Sequence, residues 1–168
     1  MSIKGAQPEH RRITPHLIVP DTDEAVEFYR RAFGAEVLYL APLPNGKHLH
    51  GHLRIANTVV MLTQEDPQNP TGEAAARVGT PERLGGTTVI LELYVDDVDV
   101  YVERAKKAGA TEPLAVSDAF WGDRYGWVRD PYGYIWALAT VKEELTPKQI
   151  EDRMMAAFSG ASGAHCSD

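Results

Sequence analysis

The feature that most constrains this chain is that it contains itself twice. Val19-Pro20-Asp21-Thr22-Asp23-Glu24-Ala25-Val26-Glu27 aligns with Val95-Asp96-Asp97-Val98-Asp99-Val100-Tyr101-Val102-Glu103 at an offset of 76, and Gly34-Ala35 aligns with Gly109-Ala110 at an offset of 75. Self-similarity of this kind marks one supersecondary unit built twice, whose copies must bury their apolar faces together.

Each copy reads as strand, helix and three strands. The apolar runs Ile13 to Val19 and Thr88 to Val95 have strand composition and end at carboxylate-rich turns. Asp21, Asp23, Asp97 and Asp99 suit helix N-termini, where a carboxylate accepts from free N–H groups and favours the dipole. Apolar residues then recur at helical spacing: Ala25, Val26, Phe28, Tyr29, Ala32 and Phe33 in the first copy, Val98, Val102, Ala105 and Ala108 in the second. Gly34 and Gly109 stand where a left-handed residue ends a helix. Three strands follow each: Glu36 to Leu40, His48 to Ala56 and Thr58 to Thr63, then Glu112 to Val116, Arg124 to Arg129 and Tyr134 to Thr140.

This divides the chain into a polar tail (1–12), module one (13–63), a Pro/Gly/Glu/Ala linker or flap (64–86), module two (87–140) and a C-terminal part (141–168). Within the last, Thr146-Pro147 starts a helix with Ile150, Met154, Met155 and Phe158 as its apolar face, and the final ten residues read as disordered. Modules one and two form a single domain, and 43% hydrophobic residues suffice for its core. Seventeen basic against 24 acidic residues, with no basic cluster, argue against nucleic acid as a partner. No run reaches the length of a membrane span, and the first twelve residues lack the apolar stretch of a secretory signal. The single cysteine, Cys166, allows no intramolecular disulfide, so a cytoplasmic location is expected.

Several segments together resemble a known family. Pro15-His16-Leu17-Ile18-Val19, Ala25-Val26-Glu27-Phe28-Tyr29 and Phe33-Gly34-Ala35 are similar to the opening of glyoxalase and bleomycin-resistance-type proteins of the vicinal oxygen chelate superfamily. His50-Gly51-His52-Leu53-Arg54-Ile55, Val95-Asp96-Asp97-Val98-Asp99, Phe120-Trp121-Gly122-Asp123-Arg124-Tyr125-Gly126 and Arg129-Asp130-Pro131-Tyr132-Gly133 resemble its PhnB-like subgroup. The resemblance covers roughly residues 13 to 140. It implies an α+β fold in which two βαβββ modules form one strongly curved mixed sheet around a cavity, with helices outside, and it implies a homodimer. It implies little about activity, because one fold hosts many functions.

The superfamily's enzymes hold a divalent ion with His and Glu side chains from the first and last strands of each module. Those positions carry over to Thr14, Met61, Ile90 and Ala137, none of which is an ordinary ligand, so no metal cofactor is expected. The alternative is a relocated site from His16, His48, His50 and Glu92 holding zinc, nickel, manganese or iron. His48, His50 and His52 share one face of a strand, and His16 and Glu92 lie two residues beyond the usual positions. The plainer alternative is that strand histidines only form hydrogen bonds.

Trp121 and Arg124 are candidate ligand contacts, since an indole can cover an apolar ligand and a guanidinium can fork onto a carboxylate or phosphonate. The structural alternative has Asp123 capping the turn and Arg124 pairing with Asp130. Tyr134, His50 and His52 complete the candidate ligand set; Tyr134 stands where the subgroup often has histidine. His16 and Glu92 are the candidate general bases, since burial would lower the one pKa and raise the other. The expected function is metal-independent small-molecule binding, with sequestration of an aromatic natural product or antibiotic as the leading form. The alternative is a glyoxalase-like isomerase, lyase or dioxygenase using the relocated metal site or the Glu/His base.

Overall fold

The computed structural model describes residues 13–65 and 78–161. The expected polar tail, the middle of the linker and Cys166 lie outside the described residues. Module one consists of β1 (His16–Val19), α1 (Thr22–Phe33), β2 (Glu36–Pro42), β3 (His48–Ile55) and β4 (Thr58–Gln64). A one-turn helix, α2 (Pro81–Leu84), follows inside the stretch expected to be linker. Its start is written in Thr80, whose side chain accepts from the Arg83 N–H, and its end in Gly85. Module two consists of β5 (Ile90–Tyr94), α3 (Val98–Ala108), β6 (Thr111–Asp118), β7 (Asp123–Arg129) and β8 (Ile135–Val141), and α4 (Pro147–Ala161) comes last. The disorder expected of the final ten residues therefore does not hold for 159–161, which continue α4; the remainder lie outside the described residues.

Both modules have the expected order of elements, and they are hydrogen-bonded as two four-stranded mixed sheets, β1-β4-β3-β2 and β5-β8-β7-β6. In each, the first strand runs parallel to the last and the other pairs are antiparallel. The ladder does not continue from one sheet to the other. Instead the Tyr134 hydroxyl accepts from the Ile18 N–H at 2.8 Å and donates to the Ile18 carbonyl at 3.1 Å, so a side chain satisfies the edge of β1.

The two main helices begin as the carboxylates dictate. Asp21 accepts from the Asp23 and Glu24 N–H groups and Asp97 from that of Val100, while Gly34 (φ 68°) and Gly109 (φ 121°) end the helices in backbone that favours glycine. Capping thus falls to Asp21 and Asp97; Asp23 and Asp99 sit in the first turn with other partners.

One face of each sheet packs against α1 and α3 in a core shared by both modules. Leu17, Leu53 and Leu62 enter it from the first sheet, Val128, Trp136 and Leu138 from the second. The rings of Tyr29 and Phe33 on α1 lie 5.6 and 4.7 Å from that of Trp136, which joins module one to module two. Burying each such ring contributes about 1.5–3 kcal/mol. Within this core Asp130 is 3% exposed and accepts from the Tyr29 hydroxyl (2.7 Å), the Trp136 indole (3.1 Å) and the N–H groups of Tyr132 (3.0 Å) and Tyr134 (2.9 Å). Desolvation pushes its carboxyl pKa up even though these donors favour the charged form.

The outer strands β2 and β6 are irregular, with register shifts between Val37 and Tyr39, Ala41 and Pro42, Thr111 and Leu114, and Leu114 and Ser117. Thr146 and Gln149 cap α4 reciprocally, and Arg153 pairs with Glu143 at 2.8 Å. On its apolar side Met155 and Phe158 are 65% and 66% exposed, and the Phe158 ring meets that of Phe120 edge to face at 6.4 Å. No helix among the described residues is long and apolar enough to cross a membrane.

Candidate functional site

Pairing register decides what each sheet turns away from the core. In the first sheet, His16 and His52 both pair with Met61, His50 pairs with Thr63, and Tyr39 with His52, so these side chains share the outward face. In the second, Glu92 pairs with Ala137 and that with Trp127, while Tyr94 pairs with Ala139 and that with Tyr125. The two outward faces differ completely in chemistry.

On the first, three imidazoles are joined through a hydroxyl. His16 Nε2 lies 2.6 Å from Thr63 Oγ1, His50 Nδ1 lies 2.7 Å from the same oxygen, and His50 Nε2 lies 2.9 Å from His52 Nε2. The rings of His50 and His52 meet edge to face at 4.9 Å, and Tyr39 stands 5.6 Å from His52. Burial lowers the pKa of His16; burial first, and then the charges of His52 and His16, lower that of His50. His48 leaves the row: its Nδ1 pairs with Asp23 Oδ1 of α1 at 2.6 Å.

On the second, aromatic rings are tied together by their polar hydrogens. The Trp121 indole and the Tyr94 hydroxyl both donate to Asp123 Oδ2 at 3.0 Å, and the Trp127 indole donates to the Tyr125 hydroxyl at 2.7 Å. Trp121 and Tyr125 meet edge to face at 5.2 Å. Burial, and then the neighbouring Asp123 carboxylate, raise the Tyr94 pKa. Gly122 (φ 102°) lets the turn carrying Trp121 form, since a Cβ there would stand 2.5 Å from the Glu143 carbonyl. These hydrogen bonds hold the rings and leave apolar flanks for contact.

The residues singled out from the sequence thus fall in several places. His16, His50 and His52 come together on the first sheet. Trp121 and Glu92 lie on the second, and Glu92 is exposed. His16 helps line a cavity of about 590 Å³ with Leu17, Leu91 and Tyr134, whereas Glu92 lines another of about 440 Å³ with Asn57, Tyr94 and Trp136. Arg124 is turned to the helix side of β7, where Nε and Nη2 fork onto Asp99 at 2.6 and 2.8 Å and Nη1 reaches Asp118 at 3.1 Å; these carboxylates, not Asp130, are its partners. Asp123 serves Trp121 and Tyr94.

Among the described residues the histidine nitrogens are engaged with neighbouring side chains rather than gathered around a shared point. His50 and His52 direct ring nitrogens at each other, His16 and His50 direct theirs at Thr63, and His48 is taken by Asp23. A first-row ion needs such lone pairs to converge on one point. Met61, Ile90 and Ala137 offer no ligand, and among the described residues no three His, Cys, Asp or Glu groups are so arranged. Thr63, Tyr94 and Tyr125 were missed in the sequence, as was the ring-holding role of Asp123, read there only as a turn cap. The period-two spacing of Asp123, Tyr125 and Trp127 is a readable signal for Asp123 and Tyr125; Thr63 becomes visible only once β3 and β4 are in register.

Comparison with known proteins agrees with this architecture. The family model described as the Glyoxalase/Bleomycin resistance protein/Dioxygenase superfamily matches residues 11–138. An uncharacterized protein of Mycobacterium bovis is 42% identical over 148 residues, which cover 88% of this chain and 95% of that protein. The structure of TioX from Micromonospora sp. ML1 matches with a TM-score of 0.58 and 26% identity, covering 81% of this chain and 100% of that one. That of a gene product from Arabidopsis thaliana matches with a TM-score of 0.59 and 26% identity, covering 77% and 98%.

Proposed function

The chain belongs to the glyoxalase/bleomycin resistance protein/dioxygenase superfamily, and we propose that within it this protein is a metal-independent binder of a flat aromatic molecule. The observation that carries the reading is the ring platform of Tyr94, Trp121, Tyr125 and Trp127, whose indole N–H and tyrosine O–H groups are engaged with one another or with Asp123. A planar ligand laid on such rings gains about 0.5–1.5 kcal/mol per ring pair beyond the area it buries. A natural product or antibiotic with an extended aromatic system has the matching shape, and sequestration needs no reacting group. Trp121 remains a proposed contact from the sequence, and the platform adds Tyr94, Tyr125 and Trp127. Arg124 enters only by leaving Asp99.

The motif from Phe120 to Gly126 supports a PhnB-like assignment within the superfamily, and we place the protein in the cytoplasm as a homodimer. Support for a second copy is the apolar surface on the outward faces: Tyr39 is 52% exposed, Ile90 46% and Tyr94 56%. Surface of this kind usually marks an interface or a binding site.

Tryptophan fluorescence titrated with a panel of planar aromatic compounds tests the reading. Expected are stoichiometric quenching by at least one compound, its recovery unchanged, indifference to added zinc, nickel, manganese or iron, and about tenfold weaker binding in Trp127→Ala, equivalent to about 1.4 kcal/mol. Turnover of the compound, a metal requirement, or full affinity in Trp127→Ala would overturn it.

A further inference from the structure

The histidine row of the first sheet is separate from the ring platform and has its own logic. Three links, His16 to Thr63, Thr63 to His50 and His50 to His52, each need one hydrogen. A hydroxyl contributes one, and a neutral imidazole carries one on either nitrogen. With all three rings neutral, three arrangements satisfy every link. In one, His52 donates to His50, His50 to Thr63, and Thr63 to His16; in the second every direction is reversed; in the third, His16 and His50 both donate to the two lone pairs of Thr63 while His52 donates to His50. In none of them do His16 and His52 both carry hydrogen on Nδ1.

A single added proton changes this. With His50 protonated, it donates to both Thr63 and His52, Thr63 donates to His16, and both terminal rings carry hydrogen on Nδ1. The row is then a monocation with all three links kept. A second proton is opposed by the first, since the charges of His52 and His16 both lower the pKa of His50.

We propose that this row is an anion-recognition site that takes up one proton when an apolar organic acid, carried as its carboxylate or phenolate, binds in the adjoining cavity. His16 connects the two: its Nε2 ends the row and its ring lines the cavity of about 590 Å³. Leu17, Leu84, Val89 and Leu91 give that cavity an apolar body, with Tyr134 and Thr87 as polar groups. A charge-assisted hydrogen bond from the His16 Nδ1–H of the protonated row to the anion is the specific contact. Its proton comes from solvent when the acid arrives ionised, or from the ligand itself when it arrives neutral.

Among the described residues, Glu36 on β2 is held by Arg54 on β3, Asp23 on α1 by His48, and Glu65, after β4, by Arg83 of α2, while Tyr39 and Tyr134 are further titratable groups facing the row and the cavity.

Isothermal titration calorimetry with 2-naphthoate and its neutral analogue 2-naphthamide at pH 6.5, in two buffers of different ionisation enthalpy, tests the assignment. Expected are about tenfold or greater preference for naphthoate, corresponding to at least one charged hydrogen bond, and net uptake approaching one proton. Thr63→Val should abolish the preference and the uptake, and Thr63→Ser should restore them. Equal affinity for the two probes, an unchanged preference in Thr63→Val, or binding of neither would overturn the site. Tryptophan quenching recorded with the same two probes separates occupancy of the ring platform from binding at the histidine row, because Thr63→Val leaves the platform untouched. Nitrogen NMR of the imidazoles in the unmodified protein provides a readout without ligand: the three rings should share the first proton, and three independent titrations would overturn the proposal.

Discussion

The two modules are copies on the side that faces the core and strangers on the side that faces out. Inside, even a detail of side-chain pairing repeats: Asp23 in the first turn of α1 holds His48, and Asp99 in the first turn of α3 holds Arg124, both members displaced by 76 positions. Outside, one face carries linked imidazoles and the other locked aromatic rings. The contrast separates what the fold needs from what the ligand needs. A strand exposes alternate residues to different neighbours, so half of its positions can keep the core while the other half changes.

The modules also differ in their last hairpin. Module one turns through Ala56-Asn57, with Ala56 at φ 50°, whereas module two uses the longer Asp130-Pro131-Tyr132-Gly133. Only the longer turn supplies Asp130, which binds Tyr29 of the other module, and it leads into Tyr134, which closes the edge of β1. Replacing Asp130 by Ala leaves two side-chain and two backbone donors unpaired in the core. A loss of about 3 kcal/mol or more in denaturant unfolding is expected, since each unpaired buried donor costs about 1–3 kcal/mol; a loss below about 1 kcal/mol would mean that ring packing alone holds the modules together. Tyr134→Phe strips both partners from Ile18 and should cost about 1–3 kcal/mol by the same measurement, since unpaired backbone groups carry that penalty.

Acid should tell the modules apart. All four histidines among the described residues lie in module one. Folding lowers the pKa values of His16 and His50, so below about 6.5 the unfolded chain binds more protons than the folded one. Stability is complete above that value, falls as pH drops through it, and levels off once the folded-state values are passed. His50→Gln should flatten this slope between about pH 7 and 5; an unchanged slope would place the acid sensitivity elsewhere. The smallest expected effect is at the repeated pairs. Arg124→Gln breaks a fork and a further ion pair, His48→Gln a single contact, so thermal melting should fall more for the first than for the second; the reverse order would undo the parallel between them.

The fold was legible in the sequence because its signals are local and doubled. Asp21 and Asp97, Gly34 and Gly109, and the apolar spacing of α1 and α3 all act within one turn of themselves. The helix at Pro81–Leu84 was obscured because four residues give no period, although Thr80 and Gly85 mark it. The site was less legible, because it depends on register between strands. His48, His50 and His52 share a face by alternation, but nothing in their spacing says that His48 turns to Asp23 or that Thr63 links the others. Arg124 looked available beside Trp121, and only the alternation along β7 sends it to Asp99.

The irregular outer strands have a consequence for assembly. β2 and β6 each contain two breaks in register, and Pro42 and Pro113 lack the N–H that a neighbouring strand would need. Neither margin offers a flat, evenly spaced row of amides on which a further strand can grow. Copies of this protein are thereby steered away from stacking into fibrils through β2 or β6, and the broad faces and α4 are better placed than these two margins to join them.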